Sequence, residues 1–259
     1  MTVRITLVGA GPGAADLLTL RAVRAIEAAE VVLIDALVSD EVRSLIPPGA
    51  RIIEVGKRGH KPSAGQDFIN RTLVRYAQQG FNVVRLKGGD PSIFGRAAEE
   101  RAALEAMGIE VAVVPGITSA SAAAAQFRIS LTERGTARRV LFATGHRAEG
   151  PETDWESAAD PATTVCLYMA AHDFAAIAAA LIAAGRRADT PAIAVCDVER
   201  PAARMLAATL ATLAARLAAD AFEGPVVILV GDVCRRAVSS PCAPHFREGE
   251  RRVSLPGLL

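Results

Sequence analysis

What the sequence lacks bounds what it can do. A formal net charge of +1 over 259 residues gives no long-range field for a polyanion. Nucleic acid is therefore not implied as a partner, and any anionic ligand must be met by local Arg and Lys clusters. The four cysteines, Cys166, Cys196, Cys234 and Cys242, form no C-x-x-C pair, and three sit in or beside apolar runs. That usage fits the reduced core thiols of a cytoplasmic protein and not a disulfide framework. His60, His146, His172 and His245 show no metal-ligand spacing, so no metal site is expected. The longest uncharged apolar stretch, Phe174 to Gly185, falls short of the ~20 residues that a spanning helix needs. Val3 to Val8 is broken by Arg4 and leads straight into glycines, unlike a signal peptide. No short-period repeat is found. The expectation is a soluble chain, 51% hydrophobic, large enough for two modest domains.

What is present is alternation. Strands are expected at Val3 to Val8, Val31 to Ile34, Arg51 to Val55, Val83 onward and Glu110 to Val114. Between them lie helical patterns at Thr19 to Ala29, Glu41 to Ile46, Ala64 to Gln78 and Arg96 to Met107. Thr19 reads as an N-cap with Leu20, Val23 and Ile26 on one face; Ile69, Leu73 and Tyr76 share a face of the third helix. Strands alternating with such helices mean crossover units and a mainly parallel sheet. The second half is less regular. Helices are expected at Thr118 to Gln126, His172 to Ala184 and Thr209 to Ala219, and strands at Val140 to Ala143, Thr163 to Tyr168, Ala192 to Cys196 and Pro225 to Val230. Glu149 to Pro161 reads as a polar loop. A boundary near Pro115 gives domains of 1–115 and 116–235, with a tail at 236–259.

The chain is organised around Val83 to Arg96, a strand that halts on Gly88-Gly89-Asp90-Pro91. The glycines bare the backbone to a ligand, and Pro91 cannot continue a ladder. Asp90 thus stands at a strand tip, either gripping a cationic or amine-bearing small molecule or capping a tight turn. Three other strands end alike, on Gly9-Ala10-Gly11-Pro12-Gly13, on Asp35 and on Gly56-Lys57-Arg58. In an open parallel sheet ligands bind beyond the carboxyl ends of the strands, so these ends converge on one edge. Gly9 to Ala14, with Asp35 ending the next strand, also satisfies a dinucleotide-binding fingerprint. A dinucleotide-dependent oxidoreductase is therefore the alternative from another class. Against it, the first helix is expected to start only at about Thr19, and Pro12 sits mid-loop, so a pyrophosphate would lack its helix terminus.

Taken together, VGAGPGAADLLTLRA, DALVS, VGKRG, VVRLKGGDPSIFGR, VPGITSASAAAA, LTERG, TGH and TPAIAV resemble the tetrapyrrole methylases, and among them the uroporphyrinogen-III C-methyltransferases, over Val3 to Val233. The resemblance implies two α/β/α domains, a parallel sheet in the N-terminal one and a mixed sheet in the C-terminal one, with S-adenosylmethionine (SAM) in the cleft between and S-adenosylhomocysteine as product. It implies methylation of uroporphyrinogen III at C2 and then C7, giving precorrin-2 by way of precorrin-1, in a cytoplasmic homodimer. A methylase of a later precorrin is the alternative within the fold. Cofactor contacts carry over to Pro12, Gly88, Gly89, Asp90, Ile93, Thr118, Ser119, Met169 and Val198. The proton acceptor and donor carry over to Asp35 and Lys57, and Asp35→Ala is expected to impair turnover without abolishing it. The substrate's eight carboxylates need arginines; Arg58, Arg96, Arg128 and Arg134 are the candidates, with Lys61 and Arg138 nearby. The chain departs from the family pattern at Ser92, Ala97-Ala98, Glu133 and Cys196-Asp197-Val198-Glu199. These departures bear more on the substrate pocket than on the cofactor site. Later oxidation and metal insertion toward siroheme are expected on other proteins.

Overall fold

The computed structural model describes residues 5–56, 65–145, 155–220 and 222–239. The chain divides into two compact units between Thr118 and Ser119. In the first unit β1 (Ile5–Gly9), β2 (Val31–Ile34), β3 (Arg51–Glu54), β4 (Val83–Lys87) and β5 (Val111–Val114) form one sheet in the order β3-β2-β4-β1-β5. Every neighbouring pair is parallel. The reason is the connections: α1 (Leu20–Glu27), α2 (Asp40–Arg43), α3 (Gln66–Gln78) and α4 (Ala97–Glu105) each return the chain to the sheet's starting end.

Side-chain alternation sends the strands into two apolar layers. Val8, Val32, Ile34, Val84 and Leu86 pack with Ala22 and Ile26 of α1 and Val42 of α2. Ile5, Leu7, Val31, Leu33 and Val83 pack on the other face with Ile69, Leu73 and Tyr76 of α3 and Leu104 of α4. Thr19 caps α1 by accepting the Ala22 N–H at 3.1 Å. The buried stripe of α1 runs through Ala22 and Ile26, while Leu20, expected on that stripe, is 53% exposed. Ser39 caps α2 through the Val42 N–H, and its own hydroxyl donates to Gly13 O at 2.5 Å, tying the loop after β1 to the loop after β2.

The second unit holds α5 (Ser119–Gln126), β6 (Arg139–Thr144), α6 (Glu156–Ala159), β7 (Thr163–Tyr168), α7 (Phe174–Ala183), β8 (Pro191–Cys196), β9 (Arg204–Thr209), α8 (Leu213–Ala219), β10 (Val226–Val230) and α9 (Arg235–Ser239). Its sheet order is β6-β7-β10-β8-β9. β6 and β7 are parallel, while β10 runs antiparallel to β7 and β8, and β9 antiparallel to β8, so the sheet is mixed. Phe174, Ile177 and Leu181 of α7 and Leu213 of α8 cover Val165, Leu167, Ile228 and Val230 on one face. α5 packs on β10 and α9 on β8.

Three elements differ from the sequence reading. β9 carries no pattern that marks it: Arg-Met-Leu-Ala-Ala-Thr is weak in β-formers, and it holds as an edge strand by pairing with β8 alone. The polar stretch before Pro161 contains α6, whose Ala158 is fully buried. The residues just beyond Cys234, read as the approach to a tail, wind into α9 through Ser239.

Candidate active site

Parallel strands bring their carboxyl ends to one rim. Gly9 lies level with Lys87, and Ile34 with Leu86, so Gly9-Ala10-Gly11, Asp35 and Gly88-Gly89-Asp90 leave the first sheet side by side. The connections from β1 and β4 depart in opposite directions, toward β2 and β5, which makes their junction a topological switch point. There the two glycine loops are stitched together. The Gly89 N–H donates to Gly11 O at 2.7 Å, and the Gly11 N–H to Gly89 O at 3.2 Å.

The glycines are needed for contact between backbones. A Cβ on Gly9 would lie 2.5 Å from Gly116 N and 2.8 Å from Gly89 O, and one on Gly116 would overlap Gly89 O. Three strand ends thus meet main chain to main chain, and Gly89 adds a φ of +66°. Asp90 locks this floor. Its Oδ1 accepts the Ser92 N–H at 2.7 Å and its Oδ2 the Gly116 N–H at 2.9 Å. Each carboxylate oxygen has two acceptor directions, so one on each stays available to a ligand. Pro12, Ile93 and Thr118 are half-buried around the same floor, and the Ile93 N–H donates to Asp90 O at 3.2 Å.

Behind the rim lies a set of charges that the sequence reading passed over. Arg85 and Lys87 of β4 are 2% and 3% exposed, and Glu100 of α4 is fully buried. Lys87 Nζ is 2.8 Å and Arg85 Nε 3.1 Å from the same Glu100 oxygen, Oε1. Arg85 Nη2 reaches Asp35 Oδ1 at 2.5 Å. Burial, and then the Arg85 charge, hold the Lys87 ammonium below its ordinary range, opposed by Glu100. The available signal was a strand central in a parallel sheet carrying two cations, which demands anions from its neighbours.

Lys57 and Arg58 lie outside the described residues. Arg96, with a left-handed φ of 55°, pairs its guanidinium with both oxygens of Glu99 on the exposed start of α4. In the second unit, β7 and β8 run the same way because both oppose β10, so Met169 and Val198 follow them on one edge. Met169 is 54% exposed with φ 51°, a backbone that costs about 1–3 kcal/mol and gathers at functional sites. Val198 is buried, between left-handed Asp197 and Glu199, so only its backbone can meet a ligand. The Glu199 N–H donates to Gln126 Oε1 at 3.2 Å, joining this loop to α5, the helix that begins at Ser119. Arg134 stands exposed in a turn closed by mutual Glu133–Ala137 hydrogen bonds, and Arg128 is exposed just past α5.

The family profile of the Tetrapyrrole (Corrin/Porphyrin) Methylases matches residues 4–214. This chain is a tetrapyrrole methylase. Another tetrapyrrole methylase, the uroporphyrinogen-III C-methyltransferase of Paracoccus denitrificans, is 46% identical over 242 residues, which is 93% of this chain and 84% of that one. A siroheme synthase of Chromobacterium violaceum is 45% identical over 90% of this chain, which spans half of that protein's length. Among solved structures, the uroporphyrin-III C-methyl transferase from Thermus thermophilus, complexed with S-adenyl homocysteine, superposes with a TM-score of 0.76 at 36% identity, covering 90% of this chain and 99% of that one. The tetrapyrrole methylase architecture expected from the motifs, a parallel sheet followed by a mixed one, is borne out. The dinucleotide alternative also loses its anchor. α1 begins at Leu20 with Thr19 closing its end, away from the Gly9 to Ala14 loop.

Proposed function

We propose that this tetrapyrrole methylase is a SAM-dependent uroporphyrinogen-III C-methyltransferase, adding methyl groups at C2 and C7 to give precorrin-2 by way of precorrin-1. The observation that carries this reading is the 46% identity with the Paracoccus denitrificans enzyme across 93% of the chain. The residues present suit the cofactor: a floor of naked main chain at Gly9, Gly89 and Gly116, beside a carboxylate with acceptor directions to spare. SAM, when bound, supplies a methyl group on a sulfonium, open to in-line attack by an electron-rich pyrrole carbon. Asp90 and the surrounding carbonyls face its positive charge; Ile93, Thr118, Ser119, Met169, Pro12, Gly88, Gly89 and the Val198 backbone frame the rest.

Carbon methylation leaves the macrocycle with a proton to lose. Asp35 is placed to take it, because Arg85 occupies Oδ1 and Oδ2 accepts no hydrogen bond among the described residues. General-base help of this kind is worth about 10²–10⁴-fold. Lys57 is the proposed proton donor. Arg58, Arg96, Arg128 and Arg134 are the proposed carboxylate contacts, and Arg96 must exchange Glu99 for substrate to serve. We place the protein in the cytoplasm as a homodimer. Anaerobic incubation with SAM and uroporphyrinogen III tests the activity by mass. A gain of two methyl groups, with none added to precorrin-2, supports it; methylation of precorrin-2 instead would move the protein to a later step.

A further inference from the structure

We infer that Arg85 is a positioning residue for the Asp35 carboxylate, held from behind by Glu100. The inference rests on the reading of Asp35 as proton acceptor. Arg85 and Lys87 occupy the β4 face that looks toward α3 and α4, and Arg85 lies in register between Leu7 of β1 and Leu33 of β2. An arginine so enclosed has little room to move, and its nitrogens are each committed. Nε donates to Glu100 Oε1 at 3.1 Å, Nη1 to Leu86 O at 2.9 Å, and Nη2 to Asp35 Oδ1 at 2.5 Å. The first two anchors fix the guanidinium plane. The third is offered to Asp35, whose side chain is 28% exposed while its partner is 2% exposed.

Stability alone does not call for this arrangement, since buried ion sets are often matched or bettered by well-packed apolar side chains. What the four charges provide is direction. Glu100 serves both cations through a single oxygen, the net charge of Arg85, Lys87, Asp35 and Glu100 is zero, and Asp35 is left able to swing only about one fixed oxygen. Its Oδ2 is thereby turned toward the rim. A base misplaced by about 1 Å loses roughly 10²-fold in rate, so fixing this oxygen matters to turnover.

A kinetic double-mutant cycle tests the role, with Arg85→Gln, Asp35→Asn and the double variant assayed at saturating uroporphyrinogen III and SAM. Arg85→Gln is expected to lower kcat about 10–100-fold while the KM for SAM stays within about twofold. The double variant is expected to match Asp35→Asn alone, because Arg85 acts through that carboxylate. Additive losses, or a raised KM with kcat intact, would overturn the inference. If Asp35→Asn keeps full kcat, the reading of Asp35 fails and the role of Arg85 falls with it, whatever the Arg85 variants do. Should Arg85→Gln fail to fold, Arg85→Lys keeps the charge but cannot hold three partners. It should bind S-adenosylhomocysteine normally by calorimetry and still lose kcat; wild-type turnover in that variant would sink the proposal.

Discussion

Asp90 and Gly116 are joined across two strand ends by a 2.9 Å hydrogen bond from the glycine N–H to the carboxylate. Asp90 also holds the Ser92 N–H, so its two oxygens fasten the turn after β4 to the turn after β5. Asn at this position keeps the shape but turns one acceptor into a donor facing an N–H. We expect Asp90→Asn to destabilise the chain by about 1–3 kcal/mol and to weaken S-adenosylhomocysteine binding at least about tenfold. Urea unfolding and calorimetry measure the two effects, and a variant unchanged in both would show that the clamp is dispensable.

Gly116 tests the floor in a different way. A methyl group there would overlap Gly89 O and crowd Gly9, and overpacking of this kind costs about 1–3 kcal/mol. Gly116→Ala should therefore lower the melting temperature and push the β1 and β4 loops apart. Gly49, where an added Cβ meets nothing within 4 Å, is the control site: Gly49→Ala should leave stability nearly unchanged. Equal melting temperatures for the two variants would contradict the close-approach argument.

Lys87 gives a pH signature. Its ammonium is held below its ordinary 10.5, chiefly by burial. Between the lowered native value and 10.5 the unfolded chain still carries a proton that the native lysine has released, so stability rises with pH across that window. Below the window both states are charged, and the native state bears the whole penalty of a buried cation. Lys87→Met removes the slope. The unfolding free energy of the native chain minus that of the variant should increase between about pH 8 and pH 10; a flat or falling difference would refute the assignment.

The cysteines should be silent in the folded protein. Burial pushes the Cys166 thiol up to about 12, and it raises Cys234 and Cys196 as well. Thiolate is the reactive form, so these three should resist alkylation at about pH 8 and react on unfolding. Peptide mapping after native labelling checks this, and modified Cys166 or Cys234 would argue against the packing of β7 and the turn after β10.

The rim was legible in the sequence because glycines, a proline and a carboxylate at strand ends are local signals. Alternation told where the strands stop, and parallel connection told that they stop together. The ion set behind the rim was not legible in the same way. Val83 to Lys87 reads as a strand with polar positions on one side, and nothing local says that Arg85 and Lys87 turn inward. Their anions arrive from Asp35, 50 residues earlier, and from Glu100, a turn into the next helix. The left-handed backbone at Met169 and β9's edge pairing were hidden for a related reason: both are imposed by neighbours distant along the chain.

β10 is the last strand of its sheet in chain order and the middle one in space. Before Val226–Val230 is added, β7 and β8 each lack the partner that separates them. During synthesis from the N-terminus the first sheet is complete roughly a hundred residues before the second can close. A product cut short of Val226 would therefore carry two open strand edges, a ready template for self-association.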